Sequence, residues 1–338
     1  MDLRLLWFAL LGALLTGYAI LDGFDLGVGI LHLGARDDQE RRVFMNSIGP
    51  LWDGNEVWLV TFGGALFTAF PEAYATAFSA FYLPFMLILF ALIFRAVSME
   101  FRGKRESQAW RRFWDRAFFA SSLGAAVLFG VAVGDSMLGI PIGPDHEFSG
   151  NLFDLLRPYG LLVGALNASL MALHGAIYLH LRTAGELQRR VHGWARRAFG
   201  VFLALYLCTT VVTLARVPRA IANFERMPWL WGIAALSVLS LGSLLRSLHL
   251  RRSGLAFASS AAAIACLVAL FGAALYPNLI VSSLDPAWSL TIANAASSEK
   301  TLGIMTVIAA LGLPFVLAYT AAIYWVFRGK VELGKLSY

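Results

Sequence analysis

Long apolar stretches separated by short polar stretches make up most of this chain. Nine of the apolar stretches approach or exceed the roughly 20 residues that an α-helix needs to cross the hydrocarbon core of a bilayer. They cover residues 5–33, 48–70, 76–97, 116–134, 159–181, 197–215, 229–248, 255–276 and 303–327. The pattern predicts an all-α, polytopic membrane protein with about nine transmembrane helices.

Composition and charge agree with this class of protein. Of 338 residues, 59% are hydrophobic and only 14% are charged, whereas soluble chains carry about a quarter charged residues. The net charge of +6 comes from basic residues in the short polar stretches. That placement is typical of loops facing the cytoplasm, so we expect no nucleic-acid partner.

The basic residues alternate from one side of the predicted bundle to the other. They cluster after the first, third, fifth, seventh and ninth stretches, and the intervening connections are acidic or sparsely charged. One connection, residues 216–226, is basic and departs from the pattern. By the positive-inside rule the N-terminus lies outside and the C-terminus lies in the cytoplasm.

Four acidic residues interrupt the first two apolar stretches. Asp22 and Asp25 are three positions apart, as are Asp53 and Glu56, so each pair shares a helix face. An ionised acid facing lipid costs about 2.5–3.5 kcal/mol or more, so such acids usually face a bundle interior and mark an ion path. In the predicted orientation all four lie in the cytoplasmic half.

These acids admit two interpretations. Crowded, buried carboxyl groups share protons, so at least one should be protonated at neutral pH, and the set forms a proton or cation path. Alternatively they form structural ion pairs that fix helix packing, for example Asp53 with Arg95 at the end of the third stretch. Four acids on adjacent helices favour the path.

The histidines and cysteines offer little for a metal or a haem. Only His174 lies deep in an apolar stretch, and a lone histidine there is more often a packing residue than a ligand. Cys208 and Cys266 lie in separate stretches without disulfide or metal-ligand spacing. We therefore expect no metal site, no haem ligand and no catalytic residue in this chain.

Two sequence blocks identify a family. The blocks are Asp22-Gly23-Phe24-Asp25-Leu26-Gly27-Val28-Gly29 and Asn46-Ser47-Ile48-Gly49-Pro50-Leu51-Trp52-Asp53-Gly54-Asn55-Glu56-Val57-Trp58-Leu59. With them the chain resembles subunit II of the cytochrome bd quinol oxidases across nearly its whole length, and most specifically in its first hundred residues.

The resemblance implies a fold and an enzyme. It implies one integral-membrane domain over 1–338, with a four-helix bundle in 1–134, a second in 157–276 and a peripheral helix in 303–327. It implies a heterodimer in the bacterial cytoplasmic (inner) membrane with subunit I, which binds two b-type haems and one d-type haem. That complex oxidises quinol and reduces oxygen to water, with protons drawn from the cytoplasm. Family members also hold a structural quinone, and some have a small single-helix accessory subunit.

The resemblance also implies residue roles. It places Asp53 on a proton route toward subunit I, fed by Asp22 and Asp25. Glu56 is included in that route, although some family members carry Gln there. Residues that shape the interface or the pocket are Trp52, Asn55, Trp58 and Arg95, and Trp58 matches a tryptophan near a hydrophobic passage for oxygen.

Two other functions compete with this one. The same acids would suit the ion site of a cation- or proton-coupled secondary transporter, which should work alone and show a second half similar to the first. The acids are confined to the first half, which argues against a transporter. A purely structural assembly subunit is the other alternative, and the depth of the acids disfavours it.

Overall fold

Twelve α-helices account for most of the chain in the computed structural model, which describes residues 2–334. They are α1 (Leu3–Leu31), α2 (Asp38–Ile48), α3 (Trp52–Ala69), α4 (Pro71–Ala80), α5 (Tyr82–Arg102), α6 (Gln108–Leu138), α7 (Pro158–Arg182), α8 (Gly185–Arg216), α9 (Arg219–Arg226), α10 (Trp231–His249), α11 (Ser253–Leu275) and α12 (Glu299–Val326). An antiparallel pair of short strands, β1 (Asn278–Ile280) and β2 (Leu290–Thr291), lies between α11 and α12. The predicted all-α membrane class is confirmed.

Each of the nine apolar stretches corresponds to a long helix, but one of these helices is less apolar than the others. Within residues 2–334, eight helices are long and apolar enough to cross a membrane by length and composition: α1, α5, α6, α7, α8, α10, α11 and α12. Helix α3 is not among them, because Asp53, Gly54, Asn55 and Glu56 occupy its first two turns.

Some helices extend beyond the predicted apolar stretches, because polar residues continue the helix there. Helix α6 begins eight residues before the predicted stretch and α8 twelve residues before, in both cases through basic turns. The predicted second stretch began at Ile48, which instead ends the amphipathic helix α2. Helices α2, α4 and α9 were not predicted, since each is too short to produce a spanning apolar run.

Helix α1 packs against α3, α6, α7 and α11, and its residues from Asp22 to Gly29 are all buried. Its contact with α7 depends on two glycines. A Cβ placed on Gly27 would fall 2.8 Å from the Cα of Gly175 and overlap the carbonyl of Met171. The two backbones therefore touch directly, as small residues allow in membrane bundles. The division into two bundles stays a prediction.

This contact predicts a position-specific effect of one methyl group. Gly27→Ala should lower the thermal stability of the assembled protein, because overpacking costs about 1–3 kcal/mol or more when backbone atoms must move apart. The measurement is the midpoint of thermal denaturation in detergent, followed by tryptophan fluorescence.

Gly124→Ala is the matched control, since a Cβ on Gly124 of α6 meets no atom within 4 Å. Its midpoint should stay level or rise, because alanine stabilises a helix interior relative to glycine. Equal midpoints for the two variants would show that α1 and α7 do not approach as described.

Candidate functional site

The two acids of α1 lie at the centre of the molecule. Asp22 and Asp25 are both fully buried, on the part of α1 where every residue from Asp22 to Gly29 is buried. Such positions demand compensation, since an unpaired charge in a low-dielectric interior is strongly destabilising. Neighbouring helices supply polar groups to both carboxyl groups.

Arg95 of α5 compensates two acids on different helices. Its guanidinium lies 2.6 Å from Oδ1 of Asp22 and also donates to Oε1 of Glu56 on α3, and its own exposed fraction is only 1%. Arg95 thus has partners among the acids, but the pair suggested from sequence, Asp53 with Arg95, is wrong. Asp53 and Glu56 are separated by about 60° around the helix axis, and only Glu56 faces Arg95.

Asp25 is held by an amide and not by a cation. Nδ2 of Asn55 donates to Oδ2 of Asp25 at 2.8 Å and to the carbonyl of Leu21 at 3.2 Å. Oδ1 of Asn55 accepts from the hydroxyl of Tyr324 on α12, at 2.9 Å. The other oxygen of Asp25, Oδ1, has no hydrogen-bond partner and is shielded from solvent. Asn55 therefore links α1, α3 and α12 at this carboxyl group.

The acids form a series from the core to the surface. Asp22 and Asp25 are fully buried, the side chain of Glu56 is 25% exposed, and Asp53 is exposed one turn earlier on α3. The structure brings Asp22, Asp25 and Glu56 around Arg95 and Asn55. It leaves Asp53 outside this cluster, on a face of α3 that no other part of the described chain covers.

The two tryptophans flank the same stretch of α3. Trp58 lies against Gly17 of α1, where a Cβ would overlap its indole ring. Trp52 is half-buried and packs against the apolar cluster around Phe24 and Phe44. Both residues remain partly accessible, so they stand beside the exposed face that carries Asp53.

Aromatic side chains separate the acids from the rest of the interior. Phe24 stacks on Tyr178 with ring centroids 4.0 Å apart, and the Tyr178 hydroxyl donates to the carbonyl of Ser47 at 2.6 Å. On the other side of α1, Tyr18 lines an apolar cavity of about 210 Å³ between α1, α6, α7 and α11. The Tyr18 hydroxyl is buried one helical turn from Asp22, on the same face of α1.

His174 has no nitrogen available to bind a haem iron. Its Nδ1 lies 2.8 Å from the hydroxyl of Ser260, and its Nε2 lies 3.0 Å from the carbonyl of Ile20. Both nitrogens are occupied, so the residue ties α7 to α1 and α11. Within residues 2–334, no group of three or more His, Cys, Asp or Glu residues could hold a metal ion.

Sequence analysis missed two buried acids outside the first two apolar stretches, Asp115 and Asp135. Asp115 of α6 is 1% exposed and contacts His32 at 2.7 Å, Arg41 at 2.7 Å and Arg102 at 2.6 Å. The basic residues around it had been assigned to loops on the predicted cytoplasmic side. The available signal was Asp115 itself, a single acid among Arg111, Arg112 and Arg116, which indicates an ion-paired carboxylate. Tyr18 and Tyr324 were missed too, since their positions next to the acids depend on how the helices pack.

The comparisons with known proteins cover nearly all of the chain. Residues 3–327 match the family described as "Cytochrome bd terminal oxidase subunit II". "Cytochrome bd-I ubiquinol oxidase subunit 2" of Escherichia coli (strain K12) is 37% identical over 361 residues, covering 97% of this chain and 95% of that protein. "Cytochrome bd ubiquinol oxidase subunit 2" of Bacillus subtilis (strain 168) is 36% identical, with 97% and 96% covered.

A solved structure has the same fold. In the bd oxidase of Geobacillus thermodenitrificans, one chain superposes with a TM-score of 0.81 at 19% identity, covering 97% of this chain and 99% of that chain. Sequence and fold agree along the full length of the match. The chain therefore belongs to the family of cytochrome bd terminal oxidase subunit II.

Proposed function

We propose that this chain delivers protons to the haem-bearing partner subunit of a terminal quinol oxidase, through Asp22, Asp25, Glu56 and Asp53. As a family member it is an integral inner-membrane subunit of an oxidoreductase complex, and the haem cofactors belong to the partner subunit. One observation carries the proposal: the acids run from a fully buried cluster to an exposed position on an uncovered helix face.

Charge balance supports a role in holding protons. Three carboxyl groups, those of Asp22, Asp25 and Glu56, surround the single guanidinium of Arg95, and Asp25 has one oxygen without a partner. If all three were ionised, the buried site would carry excess negative charge, which a low-dielectric interior strongly disfavours. The cluster therefore retains protons, and a retained proton can move between neighbouring carboxyl groups.

The position of Asp53 supports a direction of transfer. Asp53 lies one helical turn from Glu56, and its face of α3 is exposed in the isolated chain. Next to Asp53 on α3, the apolar side chains of Val57 and Val60 are 50% and 73% exposed. An exposed apolar surface around an acid is expected where another protein subunit covers it. A partner subunit covering this face would take the proton from Asp53. Trp52, beside it, would then lie at the interface.

The polar neighbours would hold the acids in register. Asn55 donates to Asp25 and accepts from Tyr324, so its amide orientation is fixed from both ends. Arg95 joins the buried acid of α1 to the half-exposed acid of α3. These two residues are positioning groups in the proposed path. Trp58, which packs against Gly17 and stays partly exposed, would line an oxygen passage at the same face.

We also propose which cofactors and small components the complete complex contains. Two b-type haems and one d-type haem on the partner would serve quinol oxidation and the reduction of oxygen to water. A structural quinone, a small single-helix accessory subunit and annular lipid would complete it. The apolar cavity lined by Tyr18, Phe129 and Phe271 offers a surface of the right polarity for the apolar part of a quinone.

The transporter alternative receives no support. The family match spans residues 3–327, and the relatives named above are oxidase subunits over 95% or more of their own lengths. A transporter would also need its ion site to be reached from both sides by this chain alone. Here the acid series opens onto a helix face that a partner would cover.

Neutralising the path should slow turnover without removing haem. In Asp22→Asn and in Asp53→Asn, quinol:oxygen turnover of the purified complex should fall by about 10²-fold, which is the lower end of what a positioned proton-transfer group contributes. Haem content per complex should stay normal, because asparagine has nearly the shape of aspartate. Oxygen consumption and the visible spectrum are the measurements.

Asp145→Asn, on an exposed outer loop, provides the matched control and should turn over like the parent. If both path variants also match the parent, the acids have only a structural role. Slow turnover accompanied by lost haem would indicate failed assembly, so turnover is compared per haem.

Removing Arg95 should destabilise the protein through the charges it leaves behind. Arg95→Gln should cost about 3–5 kcal/mol, as expected for breaking a buried ion pair from one side. It should lower both the yield of haem-containing complex and its thermal midpoint. The double variant Arg95→Gln/Asp22→Asn should recover part of both quantities, since one uncompensated carboxylate is gone. A double variant no better than the single would contradict the pairing of Arg95 with Asp22.

A further inference from the structure

A second group of titratable side chains lies at the end of the molecule opposite the N-terminus of α1, apart from the acid series. His180, near the end of α7, and His192, in the second turn of α8, have ring centroids 5.0 Å apart. They are 6% and 8% exposed, and Nδ1 of each ring is shielded from solvent without a hydrogen-bond partner. Nitrogens buried in this way are usually satisfied, so two adjacent unsatisfied ones mark a position where a hydrogen-bonding ligand would fit.

Cationic side chains surround the two rings. Lys330 and Arg251 lie near His180, and Arg251 and Arg196 lie near His192. Acids on the neighbouring helices are paired elsewhere: Glu186 lies 3.2 Å from Arg189, and Glu40 contacts Arg190. Positive charge near the rings disfavours a metal cation and favours an anion.

The chain after α12 holds Lys330 in this position. The guanidinium of Arg182 donates to the carbonyls of Phe327 and Gly329, at 2.5 and 2.6 Å, and the amide of Val331 donates to the carbonyl of Arg182 at 2.9 Å. Lys330 then donates to the carbonyl of Leu181 at 2.9 Å, beside His180. Burial, together with the nearby guanidinium of Arg182, lowers the pKa of Lys330. An anion would stabilise its charged form.

The location suits the depth of lipid headgroups. The site is formed where α7 ends and α8 begins, where α10 turns into α11, and where α12 ends. Near the end of α12, Arg328 stacks over the exposed ring of Trp325 at 3.8 Å, an arrangement suited to the boundary between water and hydrocarbon. The connections at this end are the basic ones, which the positive-inside rule assigns to the cytoplasmic leaflet.

We propose that His180, His192, Arg196, Arg251 and Lys330 form a binding site for a phosphate group, supplied by the headgroup of an anionic phospholipid of the cytoplasmic leaflet. The imidazole N–H groups donate to phosphate oxygens, and the three cations neutralise the charge. The bound headgroup would join the end of α7, the first turns of α8 and the end of α12 to the α10–α11 turn. It would thereby fix the C-terminal segment over the second half of the protein.

The variants that test this site leave the acid series intact. Arg251 has a φ of +54°, a conformation that asparagine tolerates, so Arg251→Asn removes the charge without straining the turn. Lys330→Gln keeps a donor for the carbonyl of Leu181. His192→Phe keeps a ring of similar size and removes both nitrogens. Arg112→Gln, an exposed arginine of α6 that contacts Gln108, is the matched control.

The experiment uses the purified complex with its partner subunit, delipidated in detergent, with haem content as a check of folding. Native mass spectrometry counts bound phosphatidylglycerol and, separately, phosphatidylcholine. The parent and Arg112→Gln should each retain one bound phosphatidylglycerol. The double variant Arg251→Asn/Lys330→Gln and the single variant His192→Phe should bind this lipid with an affinity lower by about tenfold or more. Phosphatidylcholine should bind equally to all four proteins.

Inorganic phosphate distinguishes the two sources of the anion. If phosphate alone raises the thermal midpoint of the parent and not of the site variants, while lipid counts stay equal, the site binds free phosphate. The site is overturned if neither anion distinguishes the parent from the variants, or if His192→Phe binds like the parent. Turnover should remain that of the parent in every variant, which separates this result from a failure of the proposed proton path.

Discussion

The cost of leaving a charge alone in a low-dielectric interior governs the centre of this structure. Asp22 and Asp25 are fully buried on α1, so α3 and α5 must present groups that compensate them. Arg95 and Asn55 do so, and each also contacts a second helix. The relative positions of α1, α3, α5 and α12 therefore follow from the need to satisfy two carboxyl groups.

Other buried acids of the chain meet the same constraint with a different balance of charges. Asp115 has His32, Arg41 and Arg102 around it, and Asp135 is held by Arg157 at 3.0 Å. In both places cationic groups equal or outnumber the acid, so the ion pairs tie neighbouring helices together. Around Arg95 the acids outnumber the cation. An excess of carboxyl groups suits a site that exchanges protons, whereas a balanced pair suits a fixed connection.

Helix α3 leaves most of its surface exposed in this chain. Along α3 only Asn55 and Ala69 are buried within the described chain. The polar first turns of the helix carry Asp53, and apolar residues such as Val60 and Phe67 follow. A family member of an oxidase that works with a haem-bearing subunit needs such a face. The acids that run from buried Asp22 to exposed Asp53 thus end on a surface that a partner could cover.

Much of the fold was predictable because hydrophobic runs report membrane spans directly. Nine runs located the long helices, and the spacing of three residues placed Asp22 with Asp25 on one face. Helices α2, α4 and α9 were missed because short amphipathic helices owe their stability to tertiary packing and leave no long apolar run. The basic turns that extend α6 and α8 look like loops in the sequence, because charged residues mark where a chain leaves the membrane. These residues do not mark where the helix itself ends.

The amino-acid sequence by itself determined the class of protein, the family, and the burial of Asp22 and Asp25 on one face of α1, because these depend on residue types and their spacing along one helix. Only the tertiary structure decided which acid Arg95 contacts, that Tyr324 completes the contacts of Asn55, and that His174 has both nitrogens occupied. Partner choice depends on the rotation of each helix about its own axis. A difference of about 60° places Glu56 and not Asp53 against Arg95, and that rotation is set by packing among residues distant in sequence.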